Sequence, residues 1–384
     1  MQEGNQYITL FDQSIKDLFK EGYRISRRNP ATALFMLHTL RRQQRAAHVR
    51  AKWAQQGVQV PPFMIASITH RCNLRCKGCY AMAQHRTGAG EMSAEKLRSV
   101  VAEADELGIS IILLAGGEPL TRPEILDITA DYPQIVFPLF TNGTLLDDAM
   151  IQRIKSQRHV VPVISLEGHQ IDTDSRRGAG VHTHALNVMH ALRAQNILFG
   201  TSLTLTRQNF DVAMDAAYLR ELIAAGCQVF FFVDYVPVQE GTETLLLTDE
   251  QREQATRTLA AYQEDMPALF IALPGDEEIY GGCLAAGRGF IHVNPEGGVE
   301  PCPFSPYSDS SLQAMSLKDA LQSDFLKAIR ANADELDETR GGCALWTKRD
   351  WVQSLLPAAD AGDGATQMDA EAPAFDVRDA VTIV

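Results

Sequence analysis

Seven cysteines occur in 384 residues, and three of them stand in the stretch RCNLRCKGCYAM, residues 71–82. Cys72, Cys76 and Cys79 follow the spacing C-x3-C-x2-C, with Tyr80 next. Thiolates are soft metal ligands, and three within eight residues point to a metal or an iron–sulfur cluster before they point to buried structural thiols. Structural zinc takes four closed ligands in paired short spacings; here no fourth Cys or His follows at that distance, and His70 stands alone before the loop. The ferredoxin run is spaced differently and carries a fourth cysteine. Three thiolates on a four-iron cluster leave one iron open to a substrate or a cofactor.

A second, looser set is Cys283, Cys302 and Cys343. The span from Cys283 to Cys302 reads C-x13-G-x4-C through Gly297. Spread over sixty residues, these three fit either a cluster or ordinary thiols. Cys227 opens the apolar run VFFFV and reads as core.

The elements that must position these residues alternate. Strand-like apolar runs are PFMIASIT (62–69), ISIILLAG (109–116), IVFPLFTN (135–142), VVPVISLE (160–167), ILFGTSLTLT (197–206) and VFFFVDYV (229–236). Amphipathic helix patterns lie between them, at 93–107, from Thr121 with Glu124 as a capping box, and at 147–157, 182–195 and 211–226. Six β-α repeats predict an α/β fold with a parallel sheet buried on both faces, either a partial barrel or an open doubly wound sheet. In both, function sits at the carboxyl ends of the strands. Those ends carry the cysteine loop, Gly116-Gly117-Glu118, Asn142, Ser165 and Glu167. Residues 7–55 read as helices jointed at Asn29-Pro30, with Asn29 as cap and Pro30 at the first helical position. After about residue 270 come short strands and turns, then a helix near 316–331. The units expected are an N-terminal helical extension (1–60), a barrel (61–270), a small C-terminal domain (271–350) and an acidic, flexible tail (351–384).

Bulk properties narrow the function. A net charge of −13 excludes a general nucleic-acid binder. No run approaches the ~18 apolar residues of a membrane span, and the first residues carry no secretory pattern; the expected location is the cytoplasm. An odd cysteine count there speaks for ligands or free thiols, not disulfides. Residues 1–60 hold ten Lys and Arg against four acids. Arg24, Arg27, Arg28, Arg41, Arg42 and Arg45 share helices with Leu10, Phe11, Leu18, Phe19, Leu34, Phe35 and Leu37. Such a segment fits a helical layer packed on the barrel with a solvated basic face, or peripheral contact of residues 1–55 with the inner membrane surface. Asp276, Glu277, Glu278 and Tyr280, just before Cys283, are either pocket-lining residues or surface groups.

Taken in order, the motifs resemble the radical S-adenosylmethionine (SAM) superfamily. C-x3-C-x2-C with Tyr80 after the first strand resembles its cluster signature, and Gly116-Gly117-Glu118-Pro119 resembles its GGEP segment. Thr141-Asn142-Gly143 is similar to its TNG segment, and Ser165-Leu166-Glu167-Gly168 to SLDG, with Glu in place of Asp. Arg177, with Arg176 beside it, matches an arginine that pairs with the SAM carboxylate. The C-terminal cysteines resemble a shortened SPASM or twitch region without its dense further cysteine group.

The resemblance implies a partial (β/α)6 TIM-type barrel and a [4Fe-4S] cluster on Cys72, Cys76 and Cys79, with SAM on the fourth iron. Reductive cleavage of SAM would give a 5′-deoxyadenosyl radical that takes hydrogen from a substrate. The cofactor contacts implied are Tyr80, Gly116, Gly117, Glu118, Asn142, Ser165, Glu167 and Arg177. Cys283, Cys302 and Cys343 would hold a second iron–sulfur cluster, its fourth ligand being substrate, water or a side chain such as His292. The implied partners are a reductant such as ferredoxin or flavodoxin and a peptide or protein substrate. A lipid or small metabolite is the alternative substrate. An iron–sulfur electron carrier is the alternative of another class, disfavoured because a carrier needs no SAM clamp.

Overall fold

A computed structural model describes residues 6–26, 29–84, 90–273, 277–336 and 343–357. Arg27, Arg28, Asp276 and the tail beyond residue 357 lie outside the described residues, as does the side chain of Glu278.

The six apolar runs form six strands: β1 Phe63–Ser67, β2 Ile111–Ala115, β3 Phe137–Thr141, β4 Val160–Leu166, β5 Gly200–Leu205 and β6 Val229–Asp234. They pair side by side, all parallel. The sheet then goes further than six strands. β7 Leu269–Leu273 adds in parallel beyond β6. On the other edge β8 Phe290–Val293 pairs in parallel with β1, and β9 Val299–Glu300 folds back antiparallel on β8. The order is β7-β6-β5-β4-β3-β2-β1-β8-β9, so the segment that carries the second cysteine set is stitched into the barrel sheet.

Among the described residues, eleven α-helices accompany strands β1 to β7: α1 Gln6–Ile25, α2 Pro30–Gln55, α3 Tyr80–Ala83, α4 Ala94–Leu107, α5 Ile125–Ala130, α6 Asp148–Lys155, α7 Gln170–Arg177, α8 Val181–Ala194, α9 Phe210–Ala213, α10 Ala216–Ala225 and, just before β7, α11 Asp249–Asp265. Caps fix several starts. Asn29 accepts from the Thr32 amide at 3.3 Å with Pro30 at the first position, Ser93 caps α4 and Asp147 caps α6. The expected capping box of Thr121 and Glu124 does not form. The Thr121 hydroxyl donates to the Glu118 carbonyl (2.8 Å), Glu124 pairs with Arg122, and α5 starts only at Ile125. Pro123 disfavours helical geometry at Arg122 and delays the start.

Alternate strand residues face two cores. Ile112, Leu114, Phe137, Leu139, Ile164, Phe230 and Phe232 pack outward under the helices. Val161, Val163, Val229, Phe231 and Leu269 point inward and meet Ile15 and Phe19 of α1 and Phe35 and Met36 of α2. The N-terminal helices therefore plug the amino end of the barrel. Most of their apolar residues are used there, with Leu10, Tyr23, Leu34 and Leu37 left exposed. Arg50 of α2 is buried, donates to the Gly108 carbonyl at 2.5 Å and pairs with Asp12. No described helix is long and apolar enough to cross a membrane.

Candidate active site

The inner face changes character along the strands. At the amino end it is apolar and filled; at the carboxyl end it carries Ser67, Ser165, Ser202, Tyr235 and His292. The cysteine loop crosses this end after β1. Two neighbours hold it. The Lys77 amide donates to the Arg176 carbonyl (2.9 Å), and the Arg176 Nε donates back to the Lys77 carbonyl (3.1 Å). Asn73, between the first two cysteines, accepts from Asn142 Nδ2 at 2.9 Å and donates to Thr144 at 2.7 Å. Asn142, expected as a cofactor contact, thus steers the cysteine loop. Asn73 and Thr144 are members of the site that motif reading missed.

The glycine pair after β2 lies against the start of the same loop. The Gly117 amide donates to the Thr69 carbonyl (2.7 Å) and the Glu118 amide to the Arg71 carbonyl (2.8 Å). A Cβ on Gly117 would stand 2.2 Å from the Arg71 oxygen, and one on Gly116 2.6 Å from the Thr69 oxygen. Only glycine allows that approach. Glu118 is 1% exposed, and its carboxylate accepts from the Leu120 amide (3.1 Å), the Thr141 hydroxyl (2.8 Å) and the Asn142 amide (2.8 Å). The sequence suggested an acceptor for an incoming amino group; the structure shows a carboxylate that ties the β2 turn to the β3 turn. Burial raises its pKa against those donors.

Glu167, at the end of β4, is a second buried carboxylate. Its Oε1 takes Arg177 through Nε (2.8 Å) and Nη2 (2.6 Å), and also Arg176. Its Oε2 is buried without a partner. Burial alone would loosen the Arg177 proton, but Glu167, Cys76 and Cys79 outweigh it and hold its pKa up. Tyr235, 4% exposed at the end of β6, also has an unpartnered hydroxyl, 2.7 Å from where a Cβ on Gly78 would stand. Ser165 accepts from the Ser202 hydroxyl at 3.1 Å.

A small cavity of about 30 Å³ opens beside the loop, lined by Ser67, Tyr80, Gly116, His292 and Glu300 among others. His292 does not reach the second cysteine set. Its Nε2 meets Ser67 (2.8 Å) and its Nδ1 Glu300 (2.7 Å), which also accepts from Asn294 (2.6 Å). Alternation along β8 turns it inward, away from Ile291 and Val293.

The three thiols fit a cluster chemically. Burial pushes Cys72 up to about 11, Glu118 and the two other thiols adding to it against the Leu74 amide. Cys76 is raised too, mainly by burial. Thiolates gathered this closely are held together by a cationic core. Among the described residues no three His, Cys, Asp or Glu close on a single ion; a cluster spreads its thiolates over separate irons. The unpartnered Glu167 Oε2 and Tyr235 hydroxyl, with the glycine cradle, leave polar room for SAM next to it.

Cys283, Cys302 and Cys343 do come together. Cys302 donates to Cys343, which holds the first thiol up and the second down, and Cys283 acts electrostatically on Cys302 and Cys343 on Cys283. Tyr80 packs edge-on against Phe304, ring centroids 5.2 Å apart, and so lies between Cys79 and the second set. Tyr280 instead docks on α1, donating to Ser14 at 2.7 Å beside Phe11.

Residues 66–219 match the family described as the Radical SAM superfamily. The AdoMet-dependent heme synthase of Methanosarcina barkeri is 25% identical over 74% of this chain and 88% of its own. The PqqA peptide cyclase of Granulibacter bethesdensis is 24% identical over 64% of this chain and 68% of its own. Among solved structures, Streptococcus suis SuiB bound to S-adenosylmethionine shares the fold at TM-score 0.61 and 15% identity, over 77% of this chain and 73% of that one. With the cysteine loop, glycine cradle and arginine–glutamate pair in place on a partial barrel, residues 66–219 match a radical SAM domain, and the relatives' names support an enzyme.

Proposed function

We propose that this enzyme abstracts hydrogen from a peptide or protein side chain, using SAM on a [4Fe-4S] cluster held by Cys72, Cys76 and Cys79, and that Cys283, Cys302 and Cys343 hold a second cluster in a SPASM- or twitch-like region. The observation that carries the SAM reading is the meeting, at one end of the barrel, of three thiols, a cradle no Cβ can enter and a buried carboxylate oxygen without a partner. Bound SAM supplies a 5′-deoxyadenosyl radical on one-electron reduction, and an external donor such as ferredoxin or flavodoxin would provide the electron. The chain's own residues position and shield. Gly116 and Gly117 admit the methionine end, and Arg177, oriented by Glu167, faces its carboxylate. Arg176 and Asn142 hold the cysteine loop, and Tyr80 closes the side toward Phe304.

A peptide substrate is supported by the name of the PqqA peptide cyclase relative. A second reading, a small metabolite, is supported by the heme synthase, which is aligned over more of both chains. The membrane reading has the weakest support, since the helices that would carry it spend their apolar faces on the barrel.

The test is 5′-deoxyadenosine formation by reconstituted, reduced enzyme in the presence of host-cell extract. Stimulation lost on protease treatment supports the peptide. Stimulation by a protease-resistant, low-mass fraction supports the metabolite. No SAM cleavage at all would sink both and revive the electron carrier.

A further inference from the structure

Tyr235 presents a buried hydroxyl to the turn that joins two of the first three cysteines. It follows β6 in alternation with Phe231, and that period turns both side chains into the barrel. Its amide donates to the Leu205 carbonyl at 3.0 Å, so the exit of β5 fixes the backbone. Tyr235 is 4% exposed, and its hydroxyl is buried without a hydrogen-bond partner. Gly78 lies beside it. A Cβ on Gly78 would stand 2.7 Å from the hydroxyl oxygen and 3.1 and 3.2 Å from two ring carbons. Gly78 also holds a φ of +65°, and the Cys79 amide closes the turn on the Cys76 carbonyl at 3.3 Å. Arg176 clamps Lys77 within the same turn. The hydroxyl therefore abuts a fixed turn with a cysteine at each end.

A phenylalanine would fill the same space, as Phe231 does earlier on the strand, and would leave no polar atom unmet. Buried hydroxyls without a partner are rare in folded proteins, and one that persists calls for a reason. The unpartnered Glu167 Oε2 belongs to the carboxylate that holds Arg177, on the side expected to face SAM. The Tyr235 hydroxyl belongs to the side of Cys76 and Cys79.

We propose that the Tyr235 hydroxyl donates a hydrogen bond to a sulfur of the cluster on Cys72, Cys76 and Cys79, on its Cys76–Cys79 side, and thereby raises the reduction potential of that cluster. This rests on the reading of a [4Fe-4S] cluster at the first cysteine set. The reduced cluster carries one more negative charge than the oxidised one, so a donor to its sulfur stabilises it more. The phenol keeps its proton, and the hydrogen bond itself moves no electron. Its effect is to make the cluster easier for the external donor to reduce.

The test is a redox titration of the reconstituted full chain without SAM, followed by electron paramagnetic resonance. The signal of the first cluster is the one lost when Cys72, Cys76 and Cys79 are changed to Ala. Tyr235→Phe should load the same iron and move the midpoint of that signal to lower potential. Fluorotyrosine at position 235, a stronger donor of almost the same size, should move it to higher potential. A packing role would not give shifts of opposite sign. Equal midpoints in all three proteins overturn the proposal and leave the cluster standing, even where Tyr235→Phe weakens SAM binding, since the acceptor is then SAM. If Tyr235→Phe does not load iron, the fluorotyrosine protein decides: a raised midpoint supports the donor and an unchanged one overturns it. Equal iron in the wild type and the triple-alanine protein overturns the first cluster, and the proposal with it.

Discussion

Substituting Gly117 by Ala puts the new methyl 2.2 Å from the Arg71 carbonyl oxygen, 2.6 Å from its carbon and 2.8 Å from the His70 oxygen. All three are backbone atoms of the strand exit that leads into Cys72. Real Cβ atoms essentially never come within 3.0 Å, so the two turns must part by at least about 0.8 Å. The hydrogen bonds from Gly117 to Thr69 and from Glu118 to Arg71, 2.7 and 2.8 Å now, span this gap and would stretch or break. Overpacking costs about 1–3 kcal/mol and each hydrogen bond about 0.5–1.5. A loss of about 2–6 kcal/mol is therefore expected in urea unfolding of the cluster-free protein, read as a lower midpoint at constant slope. Displacing Cys72 should also cut the iron taken up by the first set well below about four, because ligand geometry tolerates little error. Gly90→Ala is the control: nothing lies within 4 Å of its Cβ position, and a change within about 0.5 kcal/mol is expected. If Gly117→Ala unfolds with the wild type and loads iron normally, the close approach of the two turns is not what selects glycine there.

Two further outcomes follow from other parts of the molecule. Cys76→Ala should abolish SAM cleavage, whereas Cys302→Ala should leave uncoupled cleavage intact; 5′-deoxyadenosine measured for both variants checks this, and normal cleavage by Cys76→Ala would refute the ligand assignment. His159 is buried and bonded to the Thr129 carbonyl at 2.8 Å, and burial, opposed by that carbonyl and aided by Arg42, lowers its pKa below 6.5. Below pH 6.5 the unfolded chain takes up the proton first, so stability falls as pH drops through that window until the folded form is protonated too. Urea midpoints between pH 7 and 5 should show a steeper decline for the wild type than for His159→Gln.

The strands were legible because a parallel sheet buried on both faces leaves continuous apolar runs, and each of the six runs contains its strand. β7 and β8 were not. LFIAL is five residues behind the long polar helix α11, and FIHV pairs with β1 across more than two hundred residues, which no local pattern encodes. The two cysteine sets were readable from spacing and from order along the chain. What each motif residue does was less so. Glu118 and Asn142 look like ligands for an incoming group when seen as isolated letters, yet both spend their polar atoms on neighbouring turns. His292 could have been placed from alternation alone: with Ile291 and Val293 packed outward, its side chain must face the barrel interior.

The C-terminal segment is structurally part of the barrel. β8 matches β1 residue for residue from Phe63 with Phe290 to Ala66 with Val293, and Ser67 continues the contact through His292. β1 is the strand whose exit becomes the cysteine loop. Removing the segment would bare one whole edge of that strand, and with it the partners of Ser67 and the Phe304 ring against Tyr80. The α1–α2 plug fills the amino half of the same interior with Ile15, Phe19, Phe35 and Met36. The polar inward side chains are thereby confined to the carboxyl half, at the strand ends beside the cysteine loop. The second cysteine set is thus built onto the wall that positions the first, with Tyr80 and Phe304 as the contact between them. A chain shortened to the barrel repeats alone would lose the support of its cysteine loop along with the second cysteine set.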